Sequence, residues 1–339
     1  MSKTKLTIKE IAEMAGVSPT AVSFVINGRE GHIGQATRAK IIALIEESGY
    51  YPDIASRRMR MKKTFNIALF YPETASPFTD LFYADIVNIM IKQFSANEYN
   101  LIHFPLESAE EGYRLPRILK RHDMDGAILL QDADKSIFQE LNDRSIPFLL
   151  LDWQEEDQEH VSVSLGCDSA ISECMRYLAR MGHGGVAFFG SNKLPYYLSR
   201  CLSGYQSALN LLGRPLLPEW VHDSVYDVDS AIYCIRNLMN CKQTPTAVCC
   251  SSDMCAIFAM QAANILGIAI PDTLSFISID NIQLSRFVRP QLTTANFHKK
   301  EIALLTANML LRMINGEKVE SATVSAKGII ERQSVRDYN

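Results

Sequence analysis

The first residues whose types and placement could do chemistry are the cations near the amino terminus. Eleven lysines and arginines fall within the first 63 residues against six acids, a surplus of five positive charges. The whole chain carries a formal net charge of −4, so the remainder is strongly acidic. A small basic segment on a large acidic body suits phosphate binding at one end, because the acidic surface repels a polyanion and helps orient its approach. Taken alone, the charges fit a solvated charged face about equally well.

Catalytic chemistry finds little support. There is no Gly-rich phosphate loop, no HExxH, no GxSxG and no pair of carboxylates beside an evident nucleophile. The eight cysteines (167, 174, 201, 234, 241, 249, 250 and 255) form no CxxC spacing. They read as core thiols of a reducing compartment, so neither a disulfide frame nor a metal is expected. No cofactor is expected, and the chain is not expected to be an enzyme.

The basic segment needs elements to position it. Ile8, Ile11, Ala12 and Ala15 recur at helical spacing, and Thr7 with Glu10 forms a capping box. Gly16 permits a tight turn, Val17 can plug the angle between helices, and Ser18-Pro19 reads as N-cap and first residue of a second helix to about Ile26. Ala12, Val17, Val22 and Val25 then face inward. A third helix is predicted from Gln35 to Ser48, with Ile41, Ile42, Leu44 and Ile45 as its apolar stripe and Gly49 ending it. This is helix-turn-helix grammar, although the generic pattern alone also fits a helical bundle that binds no DNA.

From Phe65 onward, apolar strand-like runs alternate with amphipathic helix-length segments. The runs include Asn66–Tyr71, Asn100–Phe104, Gly126–Leu130 and Phe148–Leu151; the helices include Leu81–Ala96, Tyr113–Arg121 and Ile137–Asn142. The rhythm restarts after residue 165 with helices at Ser169–Met181, Leu198–Leu212, Ser230–Met239 and Met254–Leu266, and strands at Gly185–Gly190, Ala247–Cys250 and Leu274–Ile279. A helix over Lys299–Ile314 and a strand near Gly328–Glu331 close the chain. Such alternation implies parallel sheets in two similar lobes. At 339 residues, 47% hydrophobic and 21% charged, the chain can bury more than one core. No run is long enough to span a bilayer, the first residues lack an apolar signal core, and the protein is expected in the cytoplasm.

The run from Thr7 to Ser23, followed by Val25-Ile26-Asn27-Gly28, Thr37-Arg38 and Gly49-Tyr50-Tyr51-Pro52, resembles the DNA-binding domain of the LacI/GalR regulators. The resemblance extends over nearly the whole chain through Ile146-Pro147, Leu151-Asp152-Trp153, Met181-Gly182-His183, Gly204-Tyr205, Pro245-Thr246-Ala247-Val248, Ser275 to Asn281 and Leu292-Thr293-Thr294. It implies an α helix-turn-helix DNA-binding domain plus an α/β type I periplasmic-binding-protein-like domain of two lobes with parallel sheets. The implied division is 1–51 for DNA binding, 52–64 for a hinge helix or linker, and 65–339 for effector binding and dimerisation. The N-lobe takes about 65–164 plus 296–323, and the C-lobe about 165–293 plus 326–339.

The residues that the resemblance places against DNA are Thr7, Ser18, Pro19, Thr20, Ala21, Ser23, Phe24, Asn27, Arg29, Tyr50, Ser56, Arg57 and Met59. Pro19, Thr20 and Phe24 take the positions that commonly approach bases. Many members carry Arg where this chain has Phe24, and a ring without donors can touch a thymine methyl but cannot grip guanine. The loop from Gly28 to Gly34 is longer than the family's, and Arg29 or His32 could supply contacts that Phe24 does not. Met59 takes the wedge position of a hinge helix that orders on DNA and opens a minor-groove step. The fold implies a small-molecule effector between the lobes, with Phe82, Tyr83, Trp153, Tyr197, Arg200, Cys201, Tyr226, Ser252, Asp253 and Asp280 as candidates for the pocket. Cys201 stands where the family often places an effector-gripping Arg, and Arg200 is one step away.

The function that follows is a sequence-specific DNA-binding transcriptional regulator, a repressor whose operator affinity answers to a small molecule, a sugar or related metabolite. The implied partners are a pseudo-palindromic double-stranded operator, the effector and a second copy of the chain, with no membrane. A solute-binding protein or sensor of the same fold, without specific DNA reading, is the alternative.

Overall fold

A computed structural model describes residues 6–26, 32–50, 61, 63–72, 76–106, 123–131, 135–153, 159–193 and 195–339. The chain divides into two compact units, Met1–Phe65 and Asn66–Asn339. The predicted helix over Tyr113–Arg121 lies outside the described residues.

In the small unit α1 (Ile8–Ala15), α2 (Pro19–Ile26) and α3 (Gln35–Ser48) pack around Ile11, Ala12, Ala15, Val22, Val25, Ile41 and Tyr50. The capping box forms as the sequence predicts: Glu10 N donates to Thr7 Oγ1 at 3.4 Å, and Thr7 N donates to Glu10 Oε2 at 2.6 Å. Gly16 takes φ 68°, a left-handed conformation that lets the chain turn at once into α2. Ser18 Oγ then accepts from Ala21 N at 3.2 Å, satisfying one orphan donor of α2. The apolar stripe of α3 is narrower than expected. Ile41 is buried, Leu44 and Ile45 are half-buried, and Ile42 is exposed because it sits about 100° further round the helix.

The large unit holds two sheets. Its strands are β1 (Asn66–Pro72), β2 (Asn100–Leu106), β3 (Gly126–Leu130), β4 (Phe148–Leu151), β5 (Ser162–Gly166), β6 (Val186–Phe189), β7 (Val221–His222), β8 (Ala247–Cys250), β9 (Ser275–Ile279), β10 (Thr293–Ala295), β11 (Ala322–Ser325) and β12 (Ile329–Ile330). The described helices between them are α4 (Leu81–Ala96), α5 (Lys135–Asp143), α6 (Cys167–Arg180), α7 (Pro195–Leu211), α8 (Val228–Met239), α9 (Asp253–Ile265) and α10 (Lys299–Ile314). The first sheet runs β11-β5-β4-β3-β1-β2, parallel throughout. The second runs β12-β10-β9-β8-β6-β7 and is parallel except for the β10–β12 edge.

Strands β1, β3, β4, β6, β8 and β9 are buried along their whole length, as parallel strands covered by helices on both faces must be. Their continuous apolar runs made them legible. The edge strands β7 and β11, and β5 beside β11, carry no such run. The chain passes from the first sheet to the second after Gly166, returns after Ala295 and crosses again after Ser325. Helices α6 and α7 pack so closely that a Cβ built on Gly204 would stand 2.2 Å from Asp168 O. Tyr205 beside it is fully buried and donates from its hydroxyl to Val186 O at 2.7 Å. Among the described residues no helix is long and apolar enough to cross a membrane.

Candidate DNA-reading surface and effector cleft

On the small unit, Ser18, Pro19 and Thr20 are exposed at the leading end of α2, while Ala21, Ser23 and Phe24 are half-buried. The leading end of such a second helix is the part that enters a major groove. The Phe24 ring lies 4.9 Å from the ring of His32, so part of it is engaged by the following loop. Thr7 is exposed but its hydroxyl and amide serve the capping box. Tyr50 is drawn into the core, where only 8% of it is exposed, which leaves its hydrophobic ring as a support for the helices and not as surface. Asn27, Arg29, Ser56, Arg57 and Met59 lie outside the described residues.

In the large unit, a cleft of about 340 Å³ opens at the carboxyl ends of the strands of both sheets. Ligands in open α/β sheets bind there because the loops that leave the strand ends converge at that edge. One wall comes from the loop before α4 and the ends of β3, β4 and β5: Thr79, Asp80, Phe82, Tyr83, Gln131 and Asp152. The other comes from the ends of β6, β7, β8 and β9, with Ser191, Tyr197, Tyr226, Ser251, Ser252 and Asp280, and Phe297 closes it after β10.

Local chemistry fixes these side chains. Asp80 N-caps α4, its Oδ1 accepting from Phe82 N at 2.8 Å and Tyr83 N at 3.2 Å. That cap sets the first turn, which carries the two aromatic residues into the cleft. Tyr83 Oη donates to Asp152 Oδ2 at 2.5 Å and accepts from Gln131 Nε2 at 2.5 Å. Gln131 and Asp152 each follow a strand with φ of 56° and 49°, a left-handed step that turns the backbone sharply at the sheet edge. Tyr197 Oη donates to Ser251 O at 2.7 Å, and Tyr226 Oη hydrogen-bonds Asn192.

The cleft is acidic. Burial pushes the Asp80 carboxyl above the usual carboxylate range against the pull of the two backbone N–H groups it caps. Burial likewise raises Asp152, with the Tyr83 hydroxyl and the Arg200 charge working in the opposite direction. Asp280 lies well above the ordinary range because it is buried and faces Asp253 and Asp80, with Lys299 only partly offsetting them. Burial and the Asp152 charge hold the Tyr83 phenol well above its usual value, so it stays a protonated donor.

Of the sequence-predicted pocket residues, Phe82, Tyr83, Tyr197, Tyr226, Ser252 and Asp280 line the cleft, whereas Trp153, Arg200, Cys201 and Asp253 do not. Trp153 turns into the core of the first sheet, 5.0 Å from Phe138. Arg200 is spent on Leu165 O at 2.7 Å and on Asp168 at 3.3 Å. Cys201 is wholly buried beneath the cleft wall. Asp253 is a structural acceptor, taking bonds from Ser278 Oγ at 2.6 Å, Thr294 Oγ1 at 2.6 Å and Ile282 N at 2.8 Å. Sequence reasoning missed Asp80, Gln131 and Phe297. Asp80 had a readable signal, since an Asp directly before an apolar helical run is an N-cap; the other two had none.

The description "Bacterial regulatory proteins, lacI family" matches residues 7–53, and "Periplasmic binding protein-like domain" matches residues 175–335. The chain is similar to the HTH-type transcriptional repressor PurR of Erwinia tasmaniensis, at 30% identity over 98% of this chain and 97% of that protein. It is similar to catabolite control protein A of Priestia megaterium, at 28% identity over 98% and 99% of the two chains. A solved lac repressor dimer, bound to operator and the anti-inducer ONPF, shares the fold with a TM-score of 0.78 at 19% identity, covering 98% of this chain and 100% of that one. The complex of the regulator CelR with cellobiose does so with a TM-score of 0.70 at 23% identity, covering 97% and 99%.

Proposed function

This chain belongs to the lacI family of bacterial regulatory proteins, and from that membership we propose that it is a cytoplasmic repressor whose operator affinity is set by a small molecule held in the cleft between the two sheets. The observation that carries the reading is the pairing, in one chain, of an exposed helix-turn-helix leading end at Ser18, Pro19 and Thr20 with a preformed polar and aromatic cleft. Pro19, Thr20 and Phe24 approach bases, and Ser18 and Thr7 reach backbone phosphates. The segment holding Ser56, Arg57 and Met59 contacts the minor groove, with Met59 opening a base step. A homodimer presents two such heads to a pseudo-palindromic operator. The chain is not an enzyme in this reading, and the division at residues 51 and 64 separates DNA reading, hinge and effector body.

Ligand control requires that the effector bind the two lobe arrangements with different affinity, and the coupling is then reciprocal. The cleft's walls come from both sheets, so a molecule touching both favours the arrangement in which they are close. The test is to retain fragmented genomic DNA from the source organism on the purified chain, with and without pooled sugars, nucleosides and amines. A short palindrome released or strengthened by one compound supports the reading. Salt-sensitive retention without sequence preference would instead favour a solute sensor of the same fold, with Phe24 having cost the chain its base reading.

A further inference from the structure

We infer that the effector of this cleft is a small molecule carrying a protonated amine. The inference rests on the reading of the cleft as the effector site and concerns the charge of what enters it.

Three carboxylates reach the cleft from separate elements: Asp80 caps α4, Asp152 follows β4 and Asp280 follows β9. The cations near them divide their charge among several partners. Arg200 is held by Leu165 O and Asp168 and does not line the cleft. Lys299 does not line the cleft and is shared: it donates to Asn281 O at 2.7 Å and Asp280 O at 3.5 Å, pairs with Asp85 at 3.2 Å, and offsets Asp280 only in part. Among the described residues the one lysine or arginine on the lining is Lys193, which is exposed and stands 5.1 Å over the Tyr226 ring. The lining therefore carries three carboxyl groups and one exposed lysine, and burial without a cation keeps those carboxyls above their usual range until a cation enters.

A second observation is independent of charge. The single proton of Tyr83 goes to Asp152, so Tyr83 Oη must accept from Gln131, and Gln131 must present its amide nitrogen there. That choice leaves Gln131 Oε1 without a partner among the described residues, although Gln131 is 2% exposed and lines the cleft. A buried acceptor left unpaired is costly, and it calls for a ligand donor. A hydroxyl would supply a donor and leave the carboxylates uncompensated. An ammonium supplies three donors and the missing charge together. Phe82, Tyr197, Tyr226, Phe258 and Phe297 add aromatic rings to the lining, and two of them already attract cations, Lys299 standing 5.8 Å from the Phe82 ring and Lys193 5.1 Å from the Tyr226 ring.

The groups facing Asp280 are Asp253 on α9, Asp80 before α4, Lys299 on α10, and Tyr197 and Cys201 on α7. A cation entering beside Asp280 favours its ionised form, so binding releases a proton. That release is readable by calorimetry in two buffers of different ionisation heat.

The experiment uses the full chain and two matched sets, glucosamine with glucose and glucuronate, and putrescine with 1,4-butanediol and succinate, each up to about 10 mM. The expected result is that the amine of at least one set binds at least about tenfold more tightly than its neutral mate, with proton release, while the acids do not bind. Asp280→Asn and Asp80→Asn, the second chosen because Asn also caps helices, should each reduce that preference without abolishing operator binding. Equal or tighter binding of a neutral or acidic member, or silence from both amines, overturns the inference. If operator retention responds to a neutral or anionic metabolite, the charge inference fails and the effector reading stands. If it responds to no compound at all, the effector reading itself fails.

Discussion

Tyr83 Oη and Asp152 Oδ2 lie 2.5 Å apart, joining the first turn of α4 to the end of β4 at the floor of the cleft. The bond is buried, and Gln131 completes it from the end of β3. Removing the hydroxyl takes one donor from a buried carboxylate and one acceptor from the Gln131 amide. Tyr83→Phe is therefore expected to lower unfolding free energy by about 1–3 kcal/mol. It should also weaken effector binding, and urea unfolding beside a ligand titration reads both effects.

Asp280 offers its carboxylate to the cleft, where among the described residues it accepts one long hydrogen bond, 3.4 Å, from Asp253 N. Its truncation costs little packing. Asp280→Ala is expected to abolish the effector response while operator affinity without effector stays within about twofold of the parent. An unchanged response curve would remove this residue from ligand binding.

Asp253 predicts a pH dependence of stability. Burial raises its carboxyl from 3.8 to about 6 in the folded chain, against hydrogen bonds from Ser278, Thr294 and Ile282. The folded chain thus holds this proton where the unfolded chain has lost it. The contribution is fully present below about pH 4 and is lost as the pH rises through about 6. Urea midpoints of the parent should fall across that window by more than those of Asp253→Asn, and a parallel decline in the two proteins would contradict the assignment.

Gly204 separates close packing from backbone freedom. Its Cβ would collide with Asp168 O at 2.2 Å, and that obstacle is backbone that cannot step aside. Gly204→Ala should cost about 3 kcal/mol by overpacking the α6–α7 contact. Gly213→Ala, at φ 65° with open space around it, should cost only about 1–2 kcal/mol of left-handed strain. The order of the two denaturation midpoints checks the claim.

Thr20 is exposed on the leading turn of α2. Thr20→Ala should weaken binding to the selected palindrome by about tenfold and leave binding to unrelated DNA unchanged, because a base contact, unlike a phosphate contact, carries sequence information. Equal losses on both DNAs would place Thr20 on the backbone instead.

Much of this architecture follows from local rules. The capping box at Thr7 and Glu10, the left-handed glycines at 16 and 49, and the spacing of Ile8, Ile11 and Ala15 act over one or two turns of chain, so the sequence by itself determined the small helical unit. The runs at Asn66, Gly126, Phe148 and Ser275 determined buried parallel strands in the same way, since burial on both faces requires continuous apolar residues. Short edge strands such as β7 and β11 escaped notice because pairing, not composition, makes them strands.

The cleft required the tertiary structure. Resemblance put Asp280 ahead of Asp253 as the effector acid, but the physical reason is tertiary: three hydrogen bonds hold Asp253 in the body while Asp280 faces the cleft. Trp153 directly follows Asp152, but the turn at the end of β4 sends one side chain to the cleft and the other to the core. Gln131 meets Tyr83 from 48 residues away because β3 lies beside both β1 and β4 in the sheet order. Periodicity tells which face of an element is apolar; only the order of strands decides which distant polar groups meet at its end.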